Sequence, residues 1–359
     1  MTSAERRVLA GPAEGYRAVS TLYQALMTGL VLTLVTQRSA DLAERFVFEH
    51  FRRQHLEKFL PGLEKLGLRG LPDAVACAQY HYLSNHLGGV RVEYVYESDR
   101  KAWVRYVPPR WIWMGTAICA APTEVSRAML RAWHAHNGVS LGNPRLGFVC
   151  TTQTTDGQPG LEGYYYEYDH ALGPEERLRV APGEEGPEFD PAKAPRVEGA
   201  DWPPERLAKI VRNYAMEYVR SALPELVAAF GAADARYLGG ITGRLIGMQY
   251  YAQTAELLDV PSPDARGFAT YLTRVGEAQG DQVSWDADGD DAVVEQKTWR
   301  LMAGVSPLPD AVFDAWNELW VGALSVHNRR LTLDVERRLD RGDGVIRWRI
   351  RERRSGAPS

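Results

Sequence analysis

The chain of 359 residues is long enough for two ordinary domains. Its hydrophobic fraction of 45% and charged fraction of 25% are typical of a globular protein that buries a core. The formal net charge of −4 gives no overall basic field, which argues against nucleic acid and an anionic membrane as partners.

Three cysteines, Cys77, Cys119 and Cys150, all lie in the first half of the chain. An odd, small number favours a reducing compartment over a disulfide framework. The first ten residues lack the basic and apolar pattern of a signal peptide. The most apolar run, residues 25–35, is about half of the ~20 residues that a membrane span needs. We therefore predict a buried helix there and a cytoplasmic protein.

Periodic patterns in the first half predict two helices, a hairpin, a short helix and a second hairpin. We expect a break at Pro61 in the second helix, and we expect Asn137-Gly138 to stop the short one. The predicted helices cover residues 16–37, 40–66 and 124–134, and the strands cover 90–97, 101–107, 145–152 and 164–169.

A change of composition follows, at residues 173–204, where seven prolines stand among acidic residues and glycines. Such a stretch holds neither a continuous helix nor a central strand, so we predict a linker. The same order of elements then returns, with a kink expected at Pro224 and a hairpin that turns at residues 288–290. The predicted elements are helices at 205–230, 237–258 and 310–320, a hairpin within 270–301, and strands at 331–338 and 345–351.

Short motifs recur in the same order in both halves. The matched pairs are Pro72-Asp73-Ala74 with Pro263-Asp264-Ala265, Tyr80 with Tyr271, Ala132-Trp133 with Ala315-Trp316, Asn143, Arg145 and Leu146 with Asn328, Arg330 and Leu331, and Asp156-Gly157 with Asp343-Gly344. We therefore predict an α+β protein that is a tandem duplication of a helices–hairpin–helix–hairpin unit with antiparallel sheets. The first repeat would occupy residues 1–172, the linker 173–204 and a degenerate second repeat 205–359.

Reactive side chains are concentrated in the first half, which holds all three cysteines and seven of the eight histidines. The second half keeps only His327. If the halves are duplicates, this asymmetry indicates a functional site in the first repeat and a supporting role for the second. The alternative is neutral drift on an arginine-rich and acid-rich surface.

His134 and His136 are candidates for an acid–base pair or metal ligands. Residues two apart in a helix point about 200° apart, so both face one site only if the helix ends between them. The alternative places His134 at a helix C-terminus, which favours an imidazolium, and His136 on an apolar side. His81 and His86 are five apart, which is poor spacing for a helical metal pair, and a strand would place them on opposite faces, so they can line one pocket only through a loop.

Cys119 follows the first hairpin and precedes a helix that is predicted to start near Thr123. A thiol near a helix N-terminus can have a lowered pKa and act as a nucleophile. The alternative is a small buried hydrophobic residue, as expected for Cys77 and Cys150.

Other motifs indicate structure rather than chemistry. Residues 286–290 resemble a calcium loop, but Lys297 stands where a bidentate glutamate is needed. Gly239, Gly243 and Gly247 lie at four-residue steps on a predicted helix, which favours close helix packing. The sequence contains no Walker, Rossmann, HExxH or GxSxG pattern, so we assign neither a cofactor nor a metal.

The stretch 92–169 resembles the L-2-amino-thiazoline-4-carboxylic acid hydrolase-like family, relatives of the 4-vinyl reductase small-molecule-binding domains. The resemblance rests on Ile118-Cys119-Ala120-Ala121-Pro122, a helix, Asn143-Pro144-Arg145-Leu146-Gly147-Phe148 and an aromatic strand after Gly157. It implies an α+β ligand-binding unit that either opens a small heterocycle by hydrolysis or binds without catalysis. Only Cys119 is carried over, because His134-Ala135-His136-Asn137 and Leu161-Glu162-Gly163-Tyr164 replace the family's further cysteines.

The leading hypothesis is therefore a hydrolase of a small cyclic or heteroaromatic molecule. Its catalytic groups would be Cys119, His134 and His136. The residues that would bind and orient the substrate are Tyr80, His81, Glu93, Trp103 and Arg105. The alternatives are a sensory module that binds a small molecule without chemistry and a structural dimerisation protein. The expected partner is a small molecule, and a homodimer is compatible with the sequence.

Overall fold

The computed structural model describes residues 11–108, 115–196 and 202–353. Within these ranges the chain forms eight α-helices and two sheets, which confirms the predicted α+β class. The first ten residues, where we predict no signal peptide, lie outside the described residues.

The chain divides into two compact units. The central unit is Val31–Trp202, and the discontinuous unit combines Met1–Leu30 with Pro203–Ser359. Helix α1 (Pro12–Gln37) contains the first boundary, between Leu30 and Val31. The predicted division at residues 172 and 205 stays a prediction, but the contacts group the start of α1 with the C-terminal part of the chain.

The central unit packs helices against one face of a five-stranded sheet. Strands β1 to β4 are antiparallel in the order β1-β2-β4-β3, and β5 runs parallel to β3 at the edge. The predicted linker therefore supplies an edge strand, which its prolines on either side permit. The elements are α2 (Ala40–Lys65), α3 (Asp73–Leu87), β1 (Val92–Ser98), β2 (Lys101–Tyr106), α4 (Thr123–Ala132), α5 (Asn137–Leu141), β3 (Leu146–Thr152), β4 (Leu161–Glu167) and β5 (Leu178–Val180).

The discontinuous unit has a four-stranded antiparallel sheet in the order β6-β7-β9-β8. Its core includes the large buried side chains of Trp316, Trp320 and Trp348. Besides the start of α1, its elements are α6 (Pro204–Leu257), α7 (Ala265–Gln279), β6 (Val283–Asp288), β7 (Asp291–Gln296), α8 (Asp310–His327), β8 (Leu331–Arg337) and β9 (Ile346–Glu352).

Prolines interrupt the helices less than their local chemistry indicates. Pro61 lies inside α2, and α6 continues past Pro224. The non-helical residue of α6 is instead Gly231, at φ 78° and ψ 167°, a conformation that essentially only glycine adopts. The expected kink at Pro224 is therefore replaced by one seven residues further on.

The glycines of α6 provide the close helix packing that their spacing predicts. A Cβ on Gly239 would lie 2.7 Å from Ala315 Cβ, and one on Gly243 would lie 2.9 Å from Ala315 O. A Cβ on Gly247 would overlap the carbonyl oxygen of Leu319. Helices α6 and α8 are therefore in backbone contact along three turns, which only glycine permits.

Helix α1 is the one helix in the described ranges that is long and apolar enough to cross a membrane. Two-thirds of its most apolar window (67%) is buried inside the protein. The helix is longer than the apolar run at residues 25–35 indicated, and the cytoplasmic location stays a prediction.

Candidate functional site

A layer of buried polar side chains lies between the helices and the sheet of the central unit. His81 comes from α3, Tyr106 from the end of β2, His134 from the turn after α4, Asn137 from α5 and Tyr165 from β4. None of these residues is more than 4% exposed. We call these five residues the inner network.

The inner network is hydrogen-bonded in one direction. Asn137 Nδ2 donates to His81 Nε2 at 3.2 Å and to the Tyr165 hydroxyl at 2.9 Å. A neutral His81 must then carry its proton on Nδ1, which donates to the Tyr106 hydroxyl at 3.0 Å. The Tyr106 O–H in turn donates to His134 Nε2 at 2.9 Å. The chain of donors runs from Asn137 through His81 and Tyr106 to His134.

Three rings of the inner network lie nearly parallel. The His81 and His134 rings stack with centroids 4.0 Å apart and an angle of 13°. The Tyr165 ring is within 15° of both, with its centroid 5.8 Å from His81 and 6.2 Å from His134. The planes of these three rings are therefore nearly parallel, whereas the Tyr106 ring lies at 77° to that of His134.

A local change of helix type places His134 and Asn137 in this layer. A 3-10 turn, His134–His136, separates α4 from α5. Because a 3-10 helix has three residues per turn, residues 134 and 137 point the same way. The helical path thus continues through Asn137-Gly138 and ends at Gly142, whose φ is 73°. The predicted stop at Asn137-Gly138 is wrong.

His136 points away from the inner network, towards α2. Its ring centroid lies 5.1 Å from that of His55, whose Nε2 is 2.8 Å from Ser140 Oγ. Burial, with a smaller contribution from His136, lowers the pKa of His55 to about 3. Burial and then the charge of Arg52 lower the pKa of His136 to about 4. The imidazoles of His55 and His136 are therefore neutral near pH 7. Of the two predicted catalytic histidines, His136 lies beside α2 and His134 belongs to the inner network.

Three polar atoms next to the inner network are buried and make no hydrogen bond to any residue that the structure describes. They are Asn137 Oδ1, Trp133 Nε1 and His55 Nδ1. The Trp133 ring centroid lies 5.6 Å from that of His55 and 6.4 Å from that of His81. Buried polar atoms are nearly always paired, so a bound molecule or water is expected to satisfy these atoms.

The predicted substrate-binding residues fall on two faces of the sheet. Successive side chains of a strand point to opposite faces. Trp103 and Arg105 occupy odd positions of β2 and Tyr106 an even one, so Trp103 and Arg105 point to the face opposite the inner network. Arg105 there pairs with Glu93 at 2.9 Å and with Glu162 at 2.6 Å. The Trp103 indole N–H donates to Glu97 at 2.6 Å.

Tyr80 and His81 lie on the helix side instead. Tyr80 is buried on α3, with its ring centroid 5.1 Å from Phe59 and 5.4 Å from His81. The structure therefore separates Tyr80 and His81 from the other three predicted binding residues, Glu93, Trp103 and Arg105.

Cys119 is exposed, in the 3-10 turn Gly115–Ala120 that precedes α4. The alternative interpretation of Cys119 as a small buried residue is therefore wrong. His134, in contrast to Cys119, is buried between Phe148 and Tyr165. Cys77 and Cys150 are buried as predicted. Burial raises the pKa of both thiols, that of Cys150 to about 12, and an Asn137 hydrogen bond opposes the effect at Cys77.

Sequence reasoning missed three members of the inner network: Tyr106, Asn137 and Tyr165. A signal for Tyr106 was present, because it shares the even-numbered face of β2 with the buried Val104. Asn137 was interpreted only as part of a helix stop. No local pattern distinguishes Tyr165 from the tyrosines on either side of it.

Replacing Tyr106 with phenylalanine is expected to destabilise the protein by about 1–3 kcal/mol, because ring nitrogens of His81 and His134 lose a buried hydrogen bond. The matched control is Tyr96→Phe, which removes an exposed bond to Asp99 and is expected to change stability by less than about 0.5 kcal/mol. Denaturant unfolding of both variants measures the difference. Equal effects would mean that the inner network carries no special stability.

Comparisons of the chain with protein-family models, with curated proteins and with solved structures found no match. Within the described ranges, no group of three or more histidine, cysteine, aspartate and glutamate side chains is arranged to hold a metal ion.

Proposed function

We propose that the central unit binds a small cyclic or heteroaromatic molecule beside the inner network. The observation that carries the proposal is Asn137 Oδ1, a fully buried acceptor that no described residue satisfies. Leaving such an atom unpaired costs about 1–3 kcal/mol, so a ligand N–H that reaches it gains that amount.

The surroundings favour a flat molecule with donors and acceptors at its edge. The parallel rings of His81, His134 and Tyr165 offer a plane for stacking. The indole N–H of Trp133 is free to donate to a ligand acceptor, as the amide oxygen of Asn137 is to accept. Heterocycles with adjacent N–H and C=O or ring-nitrogen groups combine both properties.

Hydrolysis of the same class of molecule is the second candidate. It is supported by the directed hydrogen bonds that end at His134 and by the exposed thiol of Cys119. In this case Cys119→Ala would abolish turnover of an identified ligand, whereas a binding protein would keep its affinity and form no product. The suggested family relationship, the small-molecule partner and a homodimer remain proposals.

We also propose that the two halves are copies of one duplicated unit. Four strands have the same order and pairing in each sheet, and β3 and β8 are irregular at equivalent places, Cys150/Thr152 and Val335/Arg337. The break between α1 and α2 at Ser39 precedes the kink at Gly231 by 192 residues, close to the spacing of 191 residues between the matched Pro72 and Pro263. Asn143 and Asn328 each accept a hydrogen bond from the backbone two residues on.

The second copy lacks the groups of the inner network. Equivalent strand pairings align Tyr106 with Gln296 and Tyr165 with Ile350. This difference supports a binding site in the central unit alone, in agreement with the concentration of histidines there.

Native mass spectrometry of the purified full chain tests the proposed site. We expect a co-purifying small molecule in the wild type and its loss in Asn137→Leu, because the variant removes the amide that orients the ligand. The matched control is Asn317→Leu, which removes another buried amide, one bonded to Trp348 in the discontinuous unit. A molecule retained by Asn137→Leu and the wild type alike would contradict the site, and an apo mass under all conditions would contradict binding.

A further inference from the structure

A segment of the predicted linker crosses the face of the central sheet that lies opposite the inner network. It leaves the sheet at the end of β5, at one edge. Further along, Glu184 contacts Tyr164 of β4, and Gly186 lies against Trp103 of β2. We call residues 182–191 the strap.

The surface beneath the strap is aromatic. Trp103 and Tyr164 are direct partners in adjacent strands, and their ring centroids lie 4.6 Å apart. They are 4% and 7% exposed and pack with Val149 of β3. The Lys101 ammonium lies 4.9 Å from the centre of the Trp103 ring and 4.4 Å from that of Tyr164, a cation–π arrangement. Proline-containing peptides dock on aromatic-lined grooves in several recognition domains.

Two contacts hold the strap on this surface. The Tyr164 hydroxyl donates to the Glu184 carboxylate at 2.8 Å. Gly186 approaches the sheet so closely that an added Cβ would overlap a carboxylate oxygen of Glu162 and lie 2.9 Å from Trp103 Cε3. The first contact therefore requires a carboxylate, and the second requires glycine.

The strap is held by its side chains and by close approach rather than by a backbone ladder. Among the described residues, no backbone group of the strap is hydrogen-bonded to a strand. Its residues are exposed except for Gly186 and Phe189, and the ring of Phe189 lies 6.3 Å from that of Tyr82 on α3. Segments with few buried contacts and no shared backbone hydrogen bonds have low local stability, so the strap can leave the sheet without unfolding it.

We propose that this face of the sheet is a docking surface for a peptide of another protein, and that the strap is its internal competitor. The contacts of the strap define the peptide, which has a carboxylate two residues before a Gly-Pro pair, as in Glu184-Glu185-Gly186-Pro187. The carboxylate accepts from Tyr164, the glycine permits contact with Trp103, and the proline lowers the entropy cost of ordering the peptide. The inner network lies on the other face, so this binding activity is distinct from the proposed function.

Competition by the strap is intramolecular, which sets the form of the test. A tethered segment acts at an effective concentration of about millimolar, so a free peptide of the same sequence binds the wild type only weakly. A variant whose strap no longer fits the surface should bind that peptide much more tightly.

Fluorescence polarisation with a labelled peptide of residues 182–191 tests the surface in the full chain. The variant Glu184→Ala/Gly186→Ala loses both contacts of the strap, whereas the peptide keeps them. We expect saturable binding to this variant, at least about tenfold tighter than to the wild type. The matched control is Glu185→Ala, which removes an exposed charge from the same strap and should stay within about twofold of the wild type. No binding to the double variant, or equal binding to all three proteins, would overturn the proposal.

Two tyrosine variants, made in the double variant, locate the peptide. Tyr164→Phe removes the donor to the carboxylate and is expected to weaken the peptide about tenfold, because hydrogen bonds to charged groups are strong. Tyr166→Phe is the matched control on the same face of β4, where Arg100 lies beside the ring, and should change the affinity by less than about twofold. Equal affinities in both would place the peptide elsewhere and refute the surface.

A second copy of the chain is the other occupant that the experiment can reveal. A dimer of the double variant that excludes the peptide would assign the surface to self-association and overturn the peptide proposal. Asn137→Leu, which tests the ligand site of the inner network, should not alter the peptide affinity, so the two proposals fail independently.

Discussion

Replacing Gly247 with alanine is expected to destabilise the protein by about 3 kcal/mol or more. The new methyl group would overlap the carbonyl oxygen of Leu319 and lie 2.8 Å from the backbone nitrogen of Ala323. Backbone atoms cannot rotate away as a side chain can, so α6 and α8 would have to separate along their contact. The measurement is denaturant unfolding of the purified variant.

The control for Gly247→Ala is Gly240→Ala, on the same helix and also buried. A Cβ there would meet only Glu318 Cγ at 3.4 Å, an ordinary contact. Alanine is favoured over glycine inside a helix by about 1 kcal/mol, so this variant is expected to be as stable as the wild type or more stable. A destabilisation of the same size in both variants would mean that helix packing is not the cause.

Acid is expected to destabilise the central unit well before the carboxylates titrate. Burial, with a smaller contribution from Arg53, lowers the pKa of His50 from 6.5 to about 3, and His55 is lowered to a similar value. Above pH 6.5 the two histidines are neutral in both the folded and the unfolded protein, so they do not make the free energy of unfolding depend on pH. Below pH 6.5 the histidines of the unfolded protein bind protons before those of the folded protein. Each histidine therefore lowers the free energy of unfolding by about 1.4 kcal/mol for every pH unit, down to about pH 3.

His50→Phe tests this explanation, because the ring of His50 packs against Phe46 and Phe51 and phenylalanine has a similar shape. Going from pH 8 to pH 4.5, the wild type should lose about 3 kcal/mol more stability than the variant. Hydrogen exchange in peptides of α2 locates the effect. The control is His170→Phe at an exposed position. Parallel pH profiles of His50→Phe and the wild type would refute the prediction.

The order of helices and hairpins was predictable in part, because periodic burial decides it. Helices α3 and α7 were not predicted, and residues 270–279, which we assigned to a hairpin region, belong to α7. The ends of elements were less predictable, since the same residue serves two purposes. Gly138 was interpreted as a helix stop, yet a Cβ there would lie 2.6 Å from Leu146 O, so the glycine allows α5 to approach β3. A glycine that stops a helix and a glycine that allows close packing have the same short-range sequence pattern, and only the tertiary contact distinguishes them.

The candidate site was predictable only in part. The concentration of histidines pointed to the first half, and His81 and His134 do belong to one network. Their partner Tyr106 comes from a strand about 25 residues away from either, and nothing local in the sequence specifies that distance. Glu93, Trp103 and Arg105 share one face of the sheet, but it is the face opposite the inner network.

The discontinuous unit has a consequence for biosynthesis. Its hydrogen bonds from Tyr23 to Gln279 and from Trp316 to Tyr23 join residues 256 and 293 positions apart. The ribosome therefore synthesises the whole central unit before it makes the residues that pack against the apolar start of α1. Contacts of such long range also close slowly. During this interval the nascent chain exposes an apolar surface, and chaperones must shield it until the part of this unit that begins at Pro203 has been synthesised.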